Sequence, residues 1–329
     1  MMKQRVFGPT GRSVGEVGLG CWQLGGADWG DVSDEQAMQT LQAAVDHGVD
    51  FFDTADVYGS GRSEELIGKF LKTATADIYV ATKLGRGSDP GWPGNFTRDA
   101  IRAHTEASLR RLGVDALDLT QLHCIPTEVM AQGDVFEYLR ELKTEGKIRA
   151  FGASVESMDE ALICLEQQGL ASLQIIFNIF RQKPIGTLFD RAQSAGTAII
   201  VRLPLASGLL SGKMGKDTHF APTDHRNYNR DGQAFNVGET FAGLPFEAGV
   251  ALSEELKAFV PEGMTMAQMA LRWILDFPAV SVVIPGARNA EQVAGNTSAS
   301  DLTPLPSDLH ARLSEFYKQK VADNIRGPY

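Results

Sequence analysis

Short apolar segments alternate with longer amphipathic segments along most of this chain. The short segments are rich in Val, Ile, Leu and Phe, and the longer ones place apolar residues at helical spacing. Strands that alternate with helices predict βαβ units, which build a parallel sheet. Eight strands are predicted, near residues 17–19, 49–53, 78–82, 117–122, 148–152, 173–177, 197–201 and 280–284.

Helix-end signals separate these units. Ser33 and Gln36 occupy the two key positions of a capping box, and Gly48 is predicted to end the helix that follows. Glycine recurs between helix and strand in later units, where the chain often needs a left-handed residue. This repetition predicts an α/β fold, and eight strands favour a closed (β/α)8 TIM barrel over an open sheet. The recurring glycines are Gly113, Gly146, Gly169 and Gly196.

Two segments depart from the repeat. Around Gly8–Arg12 the pattern predicts a β-hairpin that precedes the first barrel strand and covers the bottom of the barrel. Residues 203–245 form a long polar loop after strand seven, and it leaves the rim where barrel enzymes carry their sites. Since no linker interrupts the pattern, we expect residues 1–329 to form a single barrel domain.

Composition narrows the class of partner. A net charge of −10 argues against nucleic acid, which is bound through clustered Lys and Arg. No apolar run is long enough to span a membrane, and the first residues lack a secretory signal pattern. Three cysteines without metal-ligand spacing suit a reducing compartment. We therefore expect a cytoplasmic protein without a membrane or nucleic-acid partner, and leave its oligomeric state open.

Four candidate residues fall at the ends of three consecutive predicted strands. Asp53 and Tyr58 follow the second strand, Lys83 ends the third and His123 ends the fourth. Because the carboxyl ends of barrel strands share one rim, we expect these side chains to meet. Each residue alone has a structural explanation, as a salt bridge, a packed ring or a core histidine. Because all four are expected at one rim, a catalytic role is favoured over these structural explanations.

The expected chemistry is proton transfer to the oxygen of a carbonyl group whose carbon receives a hydride. Tyr58 would supply the proton, and the Lys83 ammonium is expected to pull its pKa from about 10 toward neutrality. Asp53 would orient Lys83 through an ion pair. His123 would hydrogen-bond to the substrate oxygen.

A family resemblance rests on these same residues. The segment Asp53–Gly59 (DTADVYG), followed by Gly61–Gly68 (GRSEELIG), resembles the signature of the aldo-keto reductase superfamily. The later ATK and LH segments, which end at Lys83 and His123, match its other catalytic positions, and the similarity spans essentially the whole chain. The resemblance implies that Asp53, Tyr58, Lys83 and His123 form the family's catalytic tetrad, with tyrosine as the general acid or base. It also implies reduction of a small aldehyde or ketone, sugars included.

A nicotinamide cofactor is expected outside a Rossmann motif. The chain has no GxGxxG, but barrel enzymes can bind phosphate at late loops and a following helix N-terminus. After strand eight, Gly286 would allow close backbone approach and Arg288 would pair with a phosphate. The resemblance implies NADPH or NADP+, with NAD as the alternative. It assigns cofactor contacts to Ser154, Gln174, Arg202, Pro204, Leu205, Ser207, Gly286, Arg288, Gln292 and Asn296.

Those contacts fall into groups at different parts of the cofactor, and two positions near the nicotinamide depart from the family pattern. Ser154 and Gln174 match residues at the nicotinamide carboxamide, and Arg202–Gly208 matches the loop over the pyrophosphate. Val155 stands where the family commonly has Asn, so one carboxamide hydrogen bond is in doubt. Arg202 stands where an aromatic residue often stacks on the nicotinamide, although a guanidinium plane can also stack.

The substrate pocket is expected to combine aromatic walls with a few polar groups, which suits a small organic carbonyl. Its predicted lining is Trp22, Tyr58, Trp92 and His123; core packing is the alternative for Trp22, and Trp92 fits either reading equally. No metal site is predicted, because only His123 of six histidines lies at a predicted strand end.

Two other functions stay open. The same machinery could run in reverse, as a dehydrogenase of an aldose or another alcohol. The chain could also be a cofactor-sensing regulatory subunit with little turnover, similar to the channel-associated β-subunits of the superfamily.

Overall fold

The computed structural model describes residues 2–30 and 32–329. All eight predicted barrel strands are present, each within a few residues of its expected position. Two further strands form the predicted N-terminal hairpin. The strands are β1 Gln4–Val6, β2 Ser13–Gly15, β3 Leu19–Gly20, β4 Phe51–Asp53, β5 Tyr79–Leu84, β6 Leu117–His123, β7 Ile148–Ser154, β8 Leu170–Ile176, β9 Ala198–Arg202 and β10 Val280–Val283.

Within the described residues, β3 to β10 form one parallel sheet in sequence order. The last strand returns to the first: Gly18 N donates to Val283 O (2.8 Å), and Val283 N donates to Glu16 O (3.0 Å). Parallel bridges join Val17 to Val283 and Gly20 to Gly286. The sheet is therefore closed into the predicted (β/α)8 barrel, and all strand carboxyl ends point to one rim.

Helices cover the outside of the barrel, and short helices occur in the loops. They are α1 Asp34–Asp46, α2 Arg62–Leu71, α3 Arg98–Leu112, α4 Thr127–Gln132, α5 Asp134–Thr144, α6 Met158–Leu165, α7 Pro184–Thr187, α8 Phe189–Ala195, α9 His225–Tyr228, α10 Phe246–Leu256, α11 Met266–Leu275, α12 Ala290–Thr297 and α13 Ser307–Phe316. In the described part of the chain, no helix is both long enough and apolar enough to cross a membrane.

The hairpin closes the bottom of the barrel, as predicted. Phe7 is fully buried and packs against Phe51 and Tyr79, with ring centroids 5.3 and 5.4 Å away. Burying such a ring stabilises the fold by about 1.5–3 kcal/mol. Gly8, at φ +51°, lies so close to the start of β9 that an added Cβ would meet the backbone of Ala171 and Ala198 at 2.6 and 2.9 Å.

The helix-end signals are correct with one exception. Ser33 caps α1 by accepting from Gln36 N (3.1 Å). The Gln36 side chain does not complete the capping box; its Nε2 instead donates to Arg288 O (2.8 Å). A partner distant in sequence thus replaces the local hydrogen bond, and it joins α1 to the loop that follows β10.

The loop over residues 203–245 lies above the carboxyl rim. It contains α9 and three short 3₁₀ turns, Ala206–Ser211, Val237–Glu239 and Phe241–Gly243. Buried loop residues such as Leu209, Leu210 and Phe241 pack into the main core. The loop is therefore anchored at both ends, and its middle is available to shape the rim.

Candidate active site

A buried chain of polar groups joins three strand ends at the rim. Lys83 Nζ, on β5, donates to Asp53 Oδ2 at the end of β4 (2.6 Å) and to Tyr58 OH in the loop after β4 (3.2 Å). The Lys83 and Asp53 side chains are 1% and 4% exposed. The His123 ring, at the end of β6, stands edge-on to Tyr58 with centroids 5.8 Å apart. The structure thus brings together all four residues that the sequence predicted.

Further hydrogen bonds hold this ion pair. Lys83 Nζ also donates to Thr54 O (2.8 Å), and Gln174 Nε2 donates to Asp53 Oδ1 (2.7 Å). Gln121 Nε2 lies 3.5 Å from the same oxygen. A buried ion pair is costly unless its remaining donors and acceptors are satisfied, and here β6 and β8 supply those partners. The pair is therefore held in one geometry beside Tyr58.

Burial decides the protonation of Tyr58. Desolvation raises the pKa of Tyr58 to about 12, although the nearby Lys83 ammonium lowers it. The expectation of a pKa near neutrality was therefore wrong for the free protein, because removing the phenolate from water outweighs the attraction of Lys83. Tyr58 holds its proton at neutral pH, which suits a proton donor.

His123 is neutral for the same reason. Burial lowers its pKa well below the usual value, and the charges of Arg86, Lys83 and Arg202 lower it further. Within the described residues, its Nδ1 has no hydrogen-bond partner. A neutral imidazole can donate from one ring nitrogen, so it can hydrogen-bond to a carbonyl oxygen without carrying charge.

Tyr58 and His123 open into a cleft of about 690 Å³, which is an ordinary size for a small-molecule site. Trp22 stacks on Tyr58, with ring centroids 5.7 Å apart and planes at 17°. Trp92 also lines the cleft and is half exposed. Both tryptophans therefore lie at the pocket, as the substrate assignment expected.

The long loop builds the opposite wall and is attached to Asp28, a residue between β3 and α1 that sequence reasoning did not single out. Tyr228 OH donates to Asp28 Oδ1 (2.8 Å), and Trp22 Nε1 donates to Oδ2 (3.2 Å). His225 Nδ1 lies 3.0 Å from Asp28 O, and its ring packs 4.8 Å from Trp22. One carboxylate thus holds the loop against the tryptophan that stacks on Tyr58.

The predicted nicotinamide-side residues lie at adjacent strand ends. Ser154 ends β7, and its Oγ lies 3.5 Å from the pocket-lining Cys124 Sγ. Gln174 Nε2 is engaged by Asp53, as described above. Arg202 ends β9, where its Nη2 donates to Val155 O (3.1 Å). Val155, which stands where the family commonly has Asn, therefore binds Arg202 through its backbone carbonyl.

The predicted pyrophosphate turn is tightly wound. Leu203, Ala206 and Ser207 have φ between +48° and +56°, and Ala206 N donates to Leu203 O (3.0 Å) around Pro204. Ser207 was assigned a contact with the cofactor. Its hydroxyl donates to Glu239 O and accepts from Phe241 N, both at 3.1 Å, so the long loop uses this group in the structure.

The predicted phosphate and adenine residues gather at the start of α12. Arg288 N donates to Gln292 Oε1 (2.8 Å), and Asn296 Nδ2 donates to Gly286 O (3.2 Å). An added Cβ at Gly286 would lie 2.0 Å from the Gln23 side-chain amide, a contact the sequence did not reveal. In the described part of the chain, no side chain pairs with the Arg288 guanidinium. A cationic group at a helix start therefore fits a phosphate.

Cys124, Glu156 and Glu239 place a thiol and two carboxylates within 4.8 Å of one another. Both carboxylates are already ion-paired, with Arg86 or Arg202. Neighbouring guanidinium groups oppose a bound cation, so we assign these residues to an ion-pair network and not to a metal site.

Sequence reasoning missed Arg86, Glu156 and Glu239, which line the cleft beside Tyr58. Arg86 and Glu156 follow β5 and β7 within two residues, so their position at strand ends was a usable signal. Glu239 lies deep in the long loop, and no local pattern could place it.

An eight-stranded parallel barrel with a buried ion pair and a tyrosine at its carboxyl rim defines the class: a barrel enzyme whose rim can hold and move a proton. The family model described as "Aldo/keto reductase family" matches residues 16–318. The chain therefore belongs to the aldo/keto reductase family of oxidoreductases, which use nicotinamide cofactors.

Individual relatives are similar over nearly their full lengths. The aldo-keto reductase YhdN of Bacillus subtilis (strain 168) is 29% identical, over 99% of this chain and 97% of its own. The "probable voltage-gated potassium channel subunit beta" of Arabidopsis thaliana is 29% identical, over 92% and 93%. Among solved structures, the glycerol dehydrogenase of Gluconobacter oxydans superposes with a TM-score of 0.80 at 29% identity, over 99% and 98%.

Proposed function

We propose that this protein is an NADP(H)-dependent oxidoreductase that interconverts a small aldehyde or ketone, sugars included, and the corresponding alcohol. The observation that carries the proposal is the buried chain from Asp53 through Lys83 to Tyr58, which opens into an aromatic cleft beside His123. The name of the related glycerol dehydrogenase supports a small polar substrate.

The proposed roles follow from the geometry and charge of each side chain. Tyr58 holds a proton at its hydroxyl and gives it to the carbonyl oxygen. Lys83 stabilises the phenolate that remains, and Asp53 keeps Lys83 within reach. Neutral His123 donates a hydrogen bond to the same oxygen. Trp22 and Trp92 pack against the substrate and exclude water from it.

The cofactor would supply or accept the hydride. We propose that Ser154 and Gln174 contact its carboxamide and that Arg202 lies beside its nicotinamide ring. The turn through Pro204, Leu205 and Ser207 would follow its pyrophosphate, with the backbone amides of Leu205 and Ser207 as donors. Arg288 would pair with the 2′-phosphate, which favours NADP(H) over NAD(H). Gly286, Gln292 and Asn296 would complete that end of the site. Within the described residues, the Nε of Arg202 has no partner and no side chain pairs with the Arg288 guanidinium, and both observations fit this assignment.

The test is nicotinamide-dependent turnover, followed by absorbance, in both directions. Wild type is compared with Tyr58→Phe on a panel of small carbonyls with NADPH and NADH, and on their alcohols with the oxidised cofactors. Removing the proton donor is expected to lower kcat by about 10²- to 10⁴-fold. NADPH affinity, measured by fluorescence titration, should be unchanged because Tyr58 stays an aromatic ring.

The similarity to a channel subunit makes one outcome decisive. Tight NADPH binding without turnover in either direction would contradict an enzymatic role and support cofactor sensing. Arg288→Ala should weaken NADPH binding more than NADH binding; an equal loss would count against NADP preference.

Three further assignments belong to the same proposal. Residues 1–329 would form one domain, since the hairpin and the long loop both pack onto one barrel. The partner would be a small molecule and not a nucleic acid or a membrane. A cytoplasmic location is supported by Cys21, Cys124 and Cys164, which are all free thiols.

A further inference from the structure

Four charged side chains form a network at the floor of the cleft, outside the Asp53–Lys83–Tyr58 chain. We call Arg86, Glu156, Arg202 and Glu239 the charge quartet. Arg86 Nη2 lies 2.8 Å from Glu156 Oε1 and 3.5 Å from Glu239 Oε1. The other Glu239 oxygen, Oε2, lies 3.4 Å from Arg202 Nη1. Glu239 is thus the member that contacts both guanidinium groups.

Burial makes this network sensitive to charge. The Glu239 and Arg202 side chains are only 8% and 10% exposed. Removing each charge from water costs free energy, and the attraction between the two side chains offsets that cost. Burial alone would raise the pKa of Glu239, but Arg202 and Arg86 outweigh it, and the pKa lies below its usual value. The two negative and two positive side chains balance each other.

The groups that a substrate would meet are mostly acidic. Asp28, Glu156 and Glu239 line the cleft and oppose a single lining guanidinium, Arg86. Arg86 is occupied by both glutamates, and its Nε donates to the backbone of His123 (3.1 Å). A carboxylate on the substrate would therefore approach three like charges, and the lining guanidinium of Arg86 is already paired with two of them.

We propose that Glu239 is a specificity-determining residue that makes this cleft reject carbonyl substrates bearing a carboxylate and accept neutral ones. This inference rests on the proposed function and adds the charge class of the substrate. Unfavourable charge is an effective means of discrimination, because a desolvated anion without a partner is strongly disfavoured. Neutralising Glu239 would leave one carboxylate, Glu156, for the two guanidinium groups, and a substrate carboxylate could then take the place of the lost charge.

The experiment compares two aldehydes of similar shape, para-nitrobenzaldehyde and para-carboxybenzaldehyde, at saturating NADPH. In wild type, kcat/KM for the nitro compound should exceed that for the carboxylate by at least about tenfold, a difference of about 1.4 kcal/mol. Glu239→Gln keeps the size of the side chain and should shrink this ratio by about tenfold or more. Glu239→Asp keeps the charge and should retain the wild-type preference.

Glu145→Gln is the matched control, since it makes the same change in an ion pair on the outer surface, with Arg102. Its ratio should equal that of wild type. Equal kcat/KM values for the two aldehydes in wild type would overturn the inference, even if Glu239→Gln did not fold. A ratio of kcat/KM values in Glu239→Gln equal to that of wild type would also overturn it. Turnover of the nitro compound would still uphold the proposed function; loss of both activities in wild type would refute both.

Discussion

The two sides of the cleft are built differently. One side consists of strand ends, where Asp53, Lys83 and His123 are held by neighbouring strands. The other side is the long loop, where Tyr228 binds Asp28, an acceptor shared with Trp22, and Glu239 meets Arg86 and Arg202. Backbone hydrogen bonds between neighbouring strands fix the strand-end side, whereas the loop side depends on single side-chain contacts.

Backbone conformation shows the same difference. Among the described residues, seven non-glycine residues have positive φ, and five of them lie in the loop. These are Leu203, Ala206, Ser207, Phe241 and Ala242. Such residues cost about 1–3 kcal/mol each and persist where the surroundings hold them. The comparison teaches that the buried ion pair lies on strand ends, whereas the opposite wall depends on a loop whose strained backbone is held by its contacts.

The largest effect is expected on the strand-end side. Lys83→Met leaves the Asp53 carboxylate buried without its cation, which should cost about 3–5 kcal/mol of unfolding free energy. It should also lower kcat by about 10²- to 10⁴-fold, because the phenolate loses its partner. The double variant Asp53→Asn/Lys83→Met removes both charges. It should recover most of the stability in urea unfolding but none of the activity; recovery of both would argue against a chemical role for Lys83.

The pH dependence tests the same side. Because burial raises the pKa of Tyr58 to about 12, its proton-donating form persists through neutral and moderately alkaline pH. Reductive kcat/KM should therefore stay level from about pH 7 to pH 10, and the oxidative rate, which needs the phenolate, should rise with pH. Neutral His123 should add no inflection between about pH 5 and 8. A reductive rate that falls tenfold per unit from about pH 7 would show that the bound cofactor lowers the pKa of Tyr58.

A smaller effect is expected on the loop side. Asp28→Asn weakens the acceptor that holds both Trp22 and Tyr228, so the substrate KM should rise by about tenfold while kcat changes little. Tyr228→Phe, the matched control, removes one of the two hydrogen bonds and should raise KM by about two- to tenfold. A fall in kcat with constant KM would place Asp28 in the chemistry and contradict this division.

The smallest effect is expected at Ser207. Its hydroxyl holds the Glu239–Phe241 turn, so Ser207→Ala should lower the unfolding free energy by about 0.5–1.5 kcal/mol. NADPH affinity should not change, since the hydroxyl is used by the loop. A weaker affinity for NADPH in fluorescence titration would show that the loop releases this hydroxyl to the cofactor.

Sequence reasoning reached the strand-end side because its signals are local. The alternation of apolar and amphipathic segments predicted eight strands, and the order of a parallel barrel then placed Asp53, Lys83 and His123 at one rim. The same reasoning could not foresee the partners of Gln36 and Ser207, whose side chains bind residues distant in sequence, Arg288 in the first case and the Glu239–Phe241 turn in the second. Such contacts depend on the path of a loop, which periodicity does not determine.

The sequence by itself determined the barrel, the hairpin beneath it and the four residues at its rim, because backbone hydrogen bonding and hydrophobic periodicity constrain each of them. Only the tertiary structure decided that Tyr58 keeps its proton, since the balance between desolvation and Lys83 depends on burial. It alone brought Asp28 to Trp22 and Glu239 to two arginines. The physical reason is that desolvation and ion pairing depend on distances in space, which spacing along the chain does not encode.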